Sequence, residues 1–177
     1  MTDQAPYETT DLAPDSDSPM AWSRMRDLLA APPPPNTPGG HFPTYLGTVR
    51  PNGLPHATGV GARWYDGDMY FTSGPDARKA RNLAANPACT ISVRLAGIDV
   101  VFEGEAERVT DPDVLEALAA VYRQGGWPAQ VEGDAFTAPY SAPSAGPPPW
   151  HLYRLDLDTA IGVAAAEPHG ATRWRFA

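Results

Sequence analysis

The sequence predicts a mainly β (α+β) domain, a closed antiparallel barrel with a few helices at its periphery. Three observations carry that expectation. Short segments that alternate apolar and polar residues recur between positions 41 and 109. Turn signals separate them at close intervals, and proline-rich stretches confine much of the remaining chain to loops. Closing such strands into a barrel removes the unpaired edges that an open sheet exposes.

The elements follow in order. Residues 1–17 are acidic and polar, with Pro6 and Pro14, and read as a disordered leader; residues 18–177 read as a single domain. A first helix follows, in which Asp17 or Ser18 can cap, Pro19 suits the first turn, and Trp22, Met25, Leu28 and Leu29 form an apolar stripe. The run Pro32 to Pro35 ends it. A strand from His41 to Val49 meets the turn Arg50-Pro51-Asn52-Gly53 and returns from His56 to Trp64. Asp66-Gly67 turns the chain into Asp68 to Thr72. Asp76 can cap a helix over 77–85, which Asn86-Pro87 stops. Cys89 to Leu95 places Ile91, Val93 and Leu95 on one face, and Ala96-Gly97 leads into Asp99 to Val109. Asp111 and Pro112 open a helix over 112–124, with Val114, Leu115, Leu118 and Tyr122 on a shared face and Gly125-Gly126 as its stop. A proline-rich loop over 137–150 precedes C-terminal strands within 151–176.

Composition excludes several classes of function. The 177 residues, 42% hydrophobic and 19% charged, suit one globular domain. A net charge of −8 argues against nucleic acid as the partner, since phosphate neutralisation needs a basic face. Cys89 is the single cysteine, so no internal disulfide exists and a reducing compartment is expected. The acidic N-terminal segment lacks the apolar stretch of a signal peptide, and no run reaches the roughly 20 apolar residues of a membrane span. The expectation is a cytoplasmic protein with no membrane partner. The histidines show no metal-ligand spacing, so no metal site is expected. Ser141 and Ser144 lack a nucleophile elbow, and Gly59-Val60-Gly61 lacks the third glycine of a dinucleotide fingerprint.

The segment Thr72-Ser73-Gly74-Pro75-Asp76-Ala77-Arg78-Lys79 carries the most chemistry. A strand ends in two hydroxyl residues and a glycine, and a helix begins with two cations. Helix N-termini present free N–H groups to an anion, Arg78 adds a planar fork of donors, and Lys79 adds a mobile charge. One terminal phosphate fits this arrangement; the plain alternative is a strand-to-helix junction with surface cations.

Four segments in this order resemble the pyridoxamine 5′-phosphate oxidase-like split-barrel family. They are Arg50-Pro51-Asn52-Gly53-Leu54-Pro55-His56, Trp64 to Thr72, Arg78-Lys79-Ala80-Arg81-Asn82-Leu83, and Asn86-Pro87. The resemblance covers residues 40–110 and extends more loosely to Thr172-Arg173-Trp174-Arg175-Phe176. It implies a six-stranded antiparallel split barrel that forms a homodimer with FMN or the deazaflavin F420 at the subunit interface. By this resemblance Arg78 and Lys79 hold the cofactor phosphate, with Thr72, Ser73 and Asn82 beside them. The strand Thr58-Gly59-Val60-Gly61-Ala62 then lies along the ring, where small residues let the backbone approach closely. Trp174 and Arg175 are further cofactor-binding candidates, with Arg173 or Arg175 reaching the partner's cofactor. The loop from Tyr140 to Trp150 shows no second phosphate site, which argues against pyridoxamine phosphate as substrate.

The expected function is therefore an FMN- or F420-dependent oxidoreductase that moves hydride to or from a small organic substrate. No catalytic residue is assigned, and His56 is the one candidate proton donor. Trp127, Trp150 and Trp174 either line a substrate pocket or pack at a dimer interface or under the proline-rich loop. The alternative function is a non-catalytic protein that binds a flavin, F420 or haem for sensing, storage or transport.

Overall fold

The computed structural model describes residues 5–13, 19–32, 42–142 and 145–177. It converts the alternation into β1 (Glu8–Asp11), α1 (Trp22–Ala30), β2 (Thr44–Val49), β3 (Pro55–Val60), β4 (Arg63–Tyr65) and β5 (Asp68–Ser73). Then come α2 (Arg78–Ala85), β6 (Ala88–Leu95), β7 (Ile98–Val109) and α3 (Pro112–Gln124). The chain ends through β8 (Gln130–Glu132), β9 (Ala135–Thr137), β10 (His151–Ala164) and β11 (Gly170–Arg175).

The pairing is antiparallel throughout and runs in a ring. β3 pairs with β2, β2 with β6, β6 with β7, β7 with β10, β10 with β5, and β5 with β4. The chain passes from β3 into β4 through Gly61 and Ala62, which closes the ring; β3 and β4 are two parts of one interrupted strand. β10 pairs with β7 along one edge and with two successive strands along the other. Its first part, His151 to Leu155, pairs with β5, and its later part, Thr159 to Ala164, pairs with β11. The register against β7 shifts between Leu157 and Thr159, and a shift of this kind bends a strand. Gly104 lies opposite, where any Cβ would collide with the Asp156 carbonyl.

Two apolar clusters hold the fold. The barrel interior gathers Leu46, Phe71, Ile91, Phe102, Leu155 and Trp174, and α1 closes one end with Trp22 and Met25. Trp22 packs against Trp64, Trp174 and Phe176 at centroid distances of 6.4, 5.5 and 4.9 Å. Such aromatic pairs add about 0.5–1.5 kcal/mol each beyond the area they bury. The second cluster lies under α3 and the proline-rich loop and includes Leu118, Tyr122, Phe136, Trp150 and Leu152.

Several expectations need correction. The leader is not wholly without structure, because Glu8–Asp11 pairs with β11 and Glu8 bonds Arg175 at 3.2 Å. Two adjacent threonines favour an extended chain, and the β11 edge supplies the missing backbone partners. The sheet consequently holds nine strands, with β1 and β11 lying outside the ring. Helix α1 starts at Trp22 behind Ala21, which makes no side-chain cap bond; Asp17 and Ser18 lie outside the described residues, as do Pro33 to Pro35 and His41. Asp76 does not cap α2, whose N-cap is Ala77. Asp111 does cap α3, accepting from the Asp113 and Val114 N–H groups. The long loop before Trp150 contains the hairpin β8–β9 and a bridge from Phe136 to Trp150.

Candidate functional site

The site grows from the β2–β3 hairpin. The Gly53 N–H donates to the Arg50 carbonyl at 2.8 Å, and Gly53 takes a φ of +80° that favours glycine. This turn fixes the register Thr48↔His56 and Leu46↔Thr58. It also brings Arg50 back over the start of β3. Helix α2 packs beside β2, and Asn82, 3% exposed, donates from Nδ2 to Thr48 Oγ1 at 2.9 Å. Thr48 Oγ1 lies 3.5 Å from His56 Nδ1. Three side chains from three elements are thereby tied into one chain.

The charges meet at the same place. His56 is held below the usual histidine range, first by burial and then by the positive charges of Arg50, Arg78 and Lys79. The three cations therefore act on one imidazole. Lys79 is 2% exposed, and burial lowers its ammonium from the ordinary lysine value. Arg50 carries a buried Nε with no hydrogen-bond partner. Among the described residues neither Arg50 nor Arg78 belongs to an ion pair, whereas Arg94 pairs with Asp99, Arg108 with Asp134, Arg154 with Asp68 and Glu107, and Arg175 with Glu8. A buried donor left without an acceptor costs about 1–3 kcal/mol, and an arriving phosphate oxygen would remove that cost. The donor set therefore suits a phosphate.

A groove of about 290 Å³ opens at this corner, between Gly74–Arg78 and the proline-rich loop at Ala145–Pro149. Gly74 shapes it, because a Cβ there would strike the Ala145 carbonyl. Ser73 is buried and its hydroxyl donates to the Gly74 carbonyl at 3.2 Å, so it steadies the corner. Thr72 faces the second cluster, where it acts on the Tyr122 phenol. Tyr122 in turn donates to the Gly61 carbonyl at 3.2 Å, and burial raises its phenol well above the usual range.

Between these two ends runs β3. Among the described strands it pairs with β2 alone, so its outer edge offers unpaired N–H and C=O groups. Gly59 is exposed, with nothing within 4 Å of where a Cβ would stand. Val60 is buried, and its carbonyl accepts from Thr44 Oγ1. At about 3.3 Å per residue, His56 to Gly61 spans roughly 16 Å.

The structure thus brings His56, Thr58, Gly59, Gly61, Arg78, Lys79 and Asn82 along one strand and its flanking helix. It does not bring Trp174 and Arg175 there. Trp174 is fully buried in the barrel core, with Nε1 donating to the Met20 carbonyl at 3.2 Å. In this chain its ring faces no cleft. Arg175 is engaged with Glu8 on β1. Trp150 is likewise core, and its indole N–H donates to the Gly146 carbonyl. Cys89 is buried, and burial pushes its thiol up to about 12. The sequence reading passed over Arg50, Thr48 and Tyr122. Thr48 was within reach, since the turn fixes which residue faces His56; the directions of Arg50 and Tyr122 depend on tertiary packing.

Comparison with known proteins agrees with the fold. The family model described as pyridoxamine 5′-phosphate oxidase matches residues 40–160. No curated protein matches the chain. Among solved structures, one described as an F420 reductase has 22% identity and a TM-score of 0.52, covering 76% of this chain and 94% of its own. A pyridoxamine 5′-phosphate oxidase-related, FMN binding protein from Nostoc punctiforme has 21% identity and a TM-score of 0.51, covering 73% and 78%. A heme binding protein from Mycobacterium smegmatis has 19% identity and a TM-score of 0.53, covering 74% of this chain and 52% of its own. At these identities the likeness is one of fold.

Proposed function

The chain belongs to the pyridoxamine 5′-phosphate oxidase family, and on that footing we propose that it is a homodimeric oxidoreductase using FMN or F420 on a small organic substrate. The observation that carries the reading is the convergence of three positive charges, Arg50, Arg78 and Lys79, on His56, with an orphaned Nε on Arg50 and Arg78 lining an open groove. Arg78 and Lys79 hold the cofactor phosphate, Arg50 adds a third cation, and Asn82 keeps the Thr48–His56 pair in place. The exposed edge of β3 takes the ring, and its roughly 16 Å from His56 to Gly61 suits a sugar-alcohol phosphate followed by a flat three-ring system. When bound, that ring supplies hydride transfer; the protein supplies anchorage, orientation and exclusion of water. His56, held below the ordinary histidine range in the cofactor-free protein, can accept a proton at its one unprotonated ring nitrogen.

The outer sheet face supports a dimer. Tyr45 is 58% exposed and Val163 48% exposed. The row Tyr45, Ser92, Val101 and Ile161 crosses four paired strands without a charge, beside the mutually paired Arg94 and Asp99, and an uncharged strip of this kind suits a second copy. The cofactor would lie where two such faces meet, beside β3.

Purified protein titrated with FMN and with F420 tests the reading through absorbance and fluorescence. Binding of either, followed by bleaching with a chemical reductant and recovery on adding an electron acceptor, supports the oxidoreductase. Colour that never turns over with any acceptor favours a flavin, F420 or haem carrier. Failure to bind either cofactor sinks the oxidoreductase and the flavin or F420 carrier alike.

A further inference from the structure

β3 ends at Val60, and just past the bend at Gly61–Ala62 a second cavity opens, at the opposite end of the strand from the cation cluster. Its volume is about 360 Å³, near the lower end of the roughly 300–1,000 Å³ typical of small-molecule sites. Its walls are largely apolar, with Leu29, Phe42, Trp64, Met69 and Val93 among them. Arg63 is the one charged side chain among the described lining residues.

The guanidinium is positioned by its neighbours. Its Nη1 donates to the Ala62 carbonyl at 3.2 Å, and its Cζ stands 5.1 Å from the centroid of the Tyr122 ring. Gly125 leaves room for it, since a Cβ there would lie 2.8 Å from Nη2. The same Tyr122 hydroxyl donates to Gly61, so the strand that carries the cofactor reading and the arginine share one support. A forked cation in an apolar chamber prefers a planar anion over a neutral molecule of the same shape, because the low surrounding dielectric strengthens the attraction.

We propose that this cavity is the substrate pocket and that Arg63 is its specificity-determining residue, selecting a small, mostly apolar carboxylate of one or two rings. Its role as substrate pocket rests on the cofactor reading above; its preference for a carboxylate does not. The size admits a compact aromatic acid, and the single cation sets the sign of the charge.

Calorimetric titration of the full chain with benzoate and with benzamide, its neutral counterpart, tests this, with FMN or F420 titrated in parallel. Benzoate should bind at least tenfold more tightly than benzamide. Arg63→Met should abolish that preference and Arg63→Lys should keep part of it, both with cofactor affinity unchanged. Gln124→Glu, on the exposed end of α3, adds a repelling carboxylate and should weaken benzoate at least threefold while sparing benzamide; it decides the matter if Arg63→Met fails to fold. Equal binding of the two probes overturns the proposal, as does a preference indifferent to Arg63 or Gln124, or a loss of cofactor affinity in Arg63→Met. An Arg63-dependent preference in a protein that binds neither cofactor would sustain the carboxylate pocket and remove the redox reading alone.

Discussion

His56 reports the charge around it. Burial and three cations hold it below the ordinary histidine range, so an anion bound among those cations must raise it by cancelling their repulsion. Titration of His56 by NMR should show a higher pKa with FMN or F420 present than without; an unmoved pKa would place the anion elsewhere. The sign for stability follows from the same shift. The folded value lies below the unfolded one, so the cofactor-free protein loses stability as pH falls from the ordinary histidine value through the folded value, and denaturant melts across that window check it. Arg78→Ala combined with Lys79→Ala should weaken cofactor binding by about 10²-fold or more, since charge-assisted bonds contribute ~1.5–3 kcal/mol each. Arg78 and Lys79 were legible as an anion site because they open a helix directly after a strand. Arg50 was legible only as part of a turn, because nothing local says where its side chain points.

Among the elements, the junction of β5, α2 and the proline-rich loop controls access to the cation cluster. Gly74 is bare where Ala145 approaches it, so Gly74→Ala should push the 145–149 segment away from Arg78 and lower cofactor affinity severalfold. Equilibrium binding measured beside a thermal melt separates that effect from global unfolding, and unchanged affinity would detach the loop from the site. The hairpins were legible because Asn52-Gly53 and Asp66-Gly67 supply the backbone conformations that the turns require; Asp66 and Gly67 take φ of +49° and +93°. Strand β1 was not legible, because four polar residues become a strand only when the edge of β11 stands beside them. The depth of Trp174 was hidden for a similar reason. Alternation assigns its face, and only the packing of α1 across the barrel end buries that face.

For the whole molecule, the barrel ring positions an open-edged strand between a cation cluster and a cavity, and the outer face around Tyr45 and Val163 is expected to pair with its copy. Tyr45→Arg together with Val163→Glu should shift the protein from dimer to monomer in sedimentation analysis and weaken cofactor binding along with it; a wild-type protein that is monomeric would remove the interface. No helix among the described residues is long and apolar enough to cross a membrane. The family and its barrel were readable from the order of four short motifs, whereas the choice between FMN and F420 was not, since both present a phosphate to the same cations. Comparing each cofactor with its phosphate-free counterpart, riboflavin for FMN and the bare deazaflavin for F420, tests the central claim most directly. The account predicts that one phosphorylated cofactor binds at least about 10²-fold more tightly than its counterpart, with the advantage lost in the Arg50, Arg78 and Lys79 alanine variants. Equal affinity with and without the phosphate would contradict it.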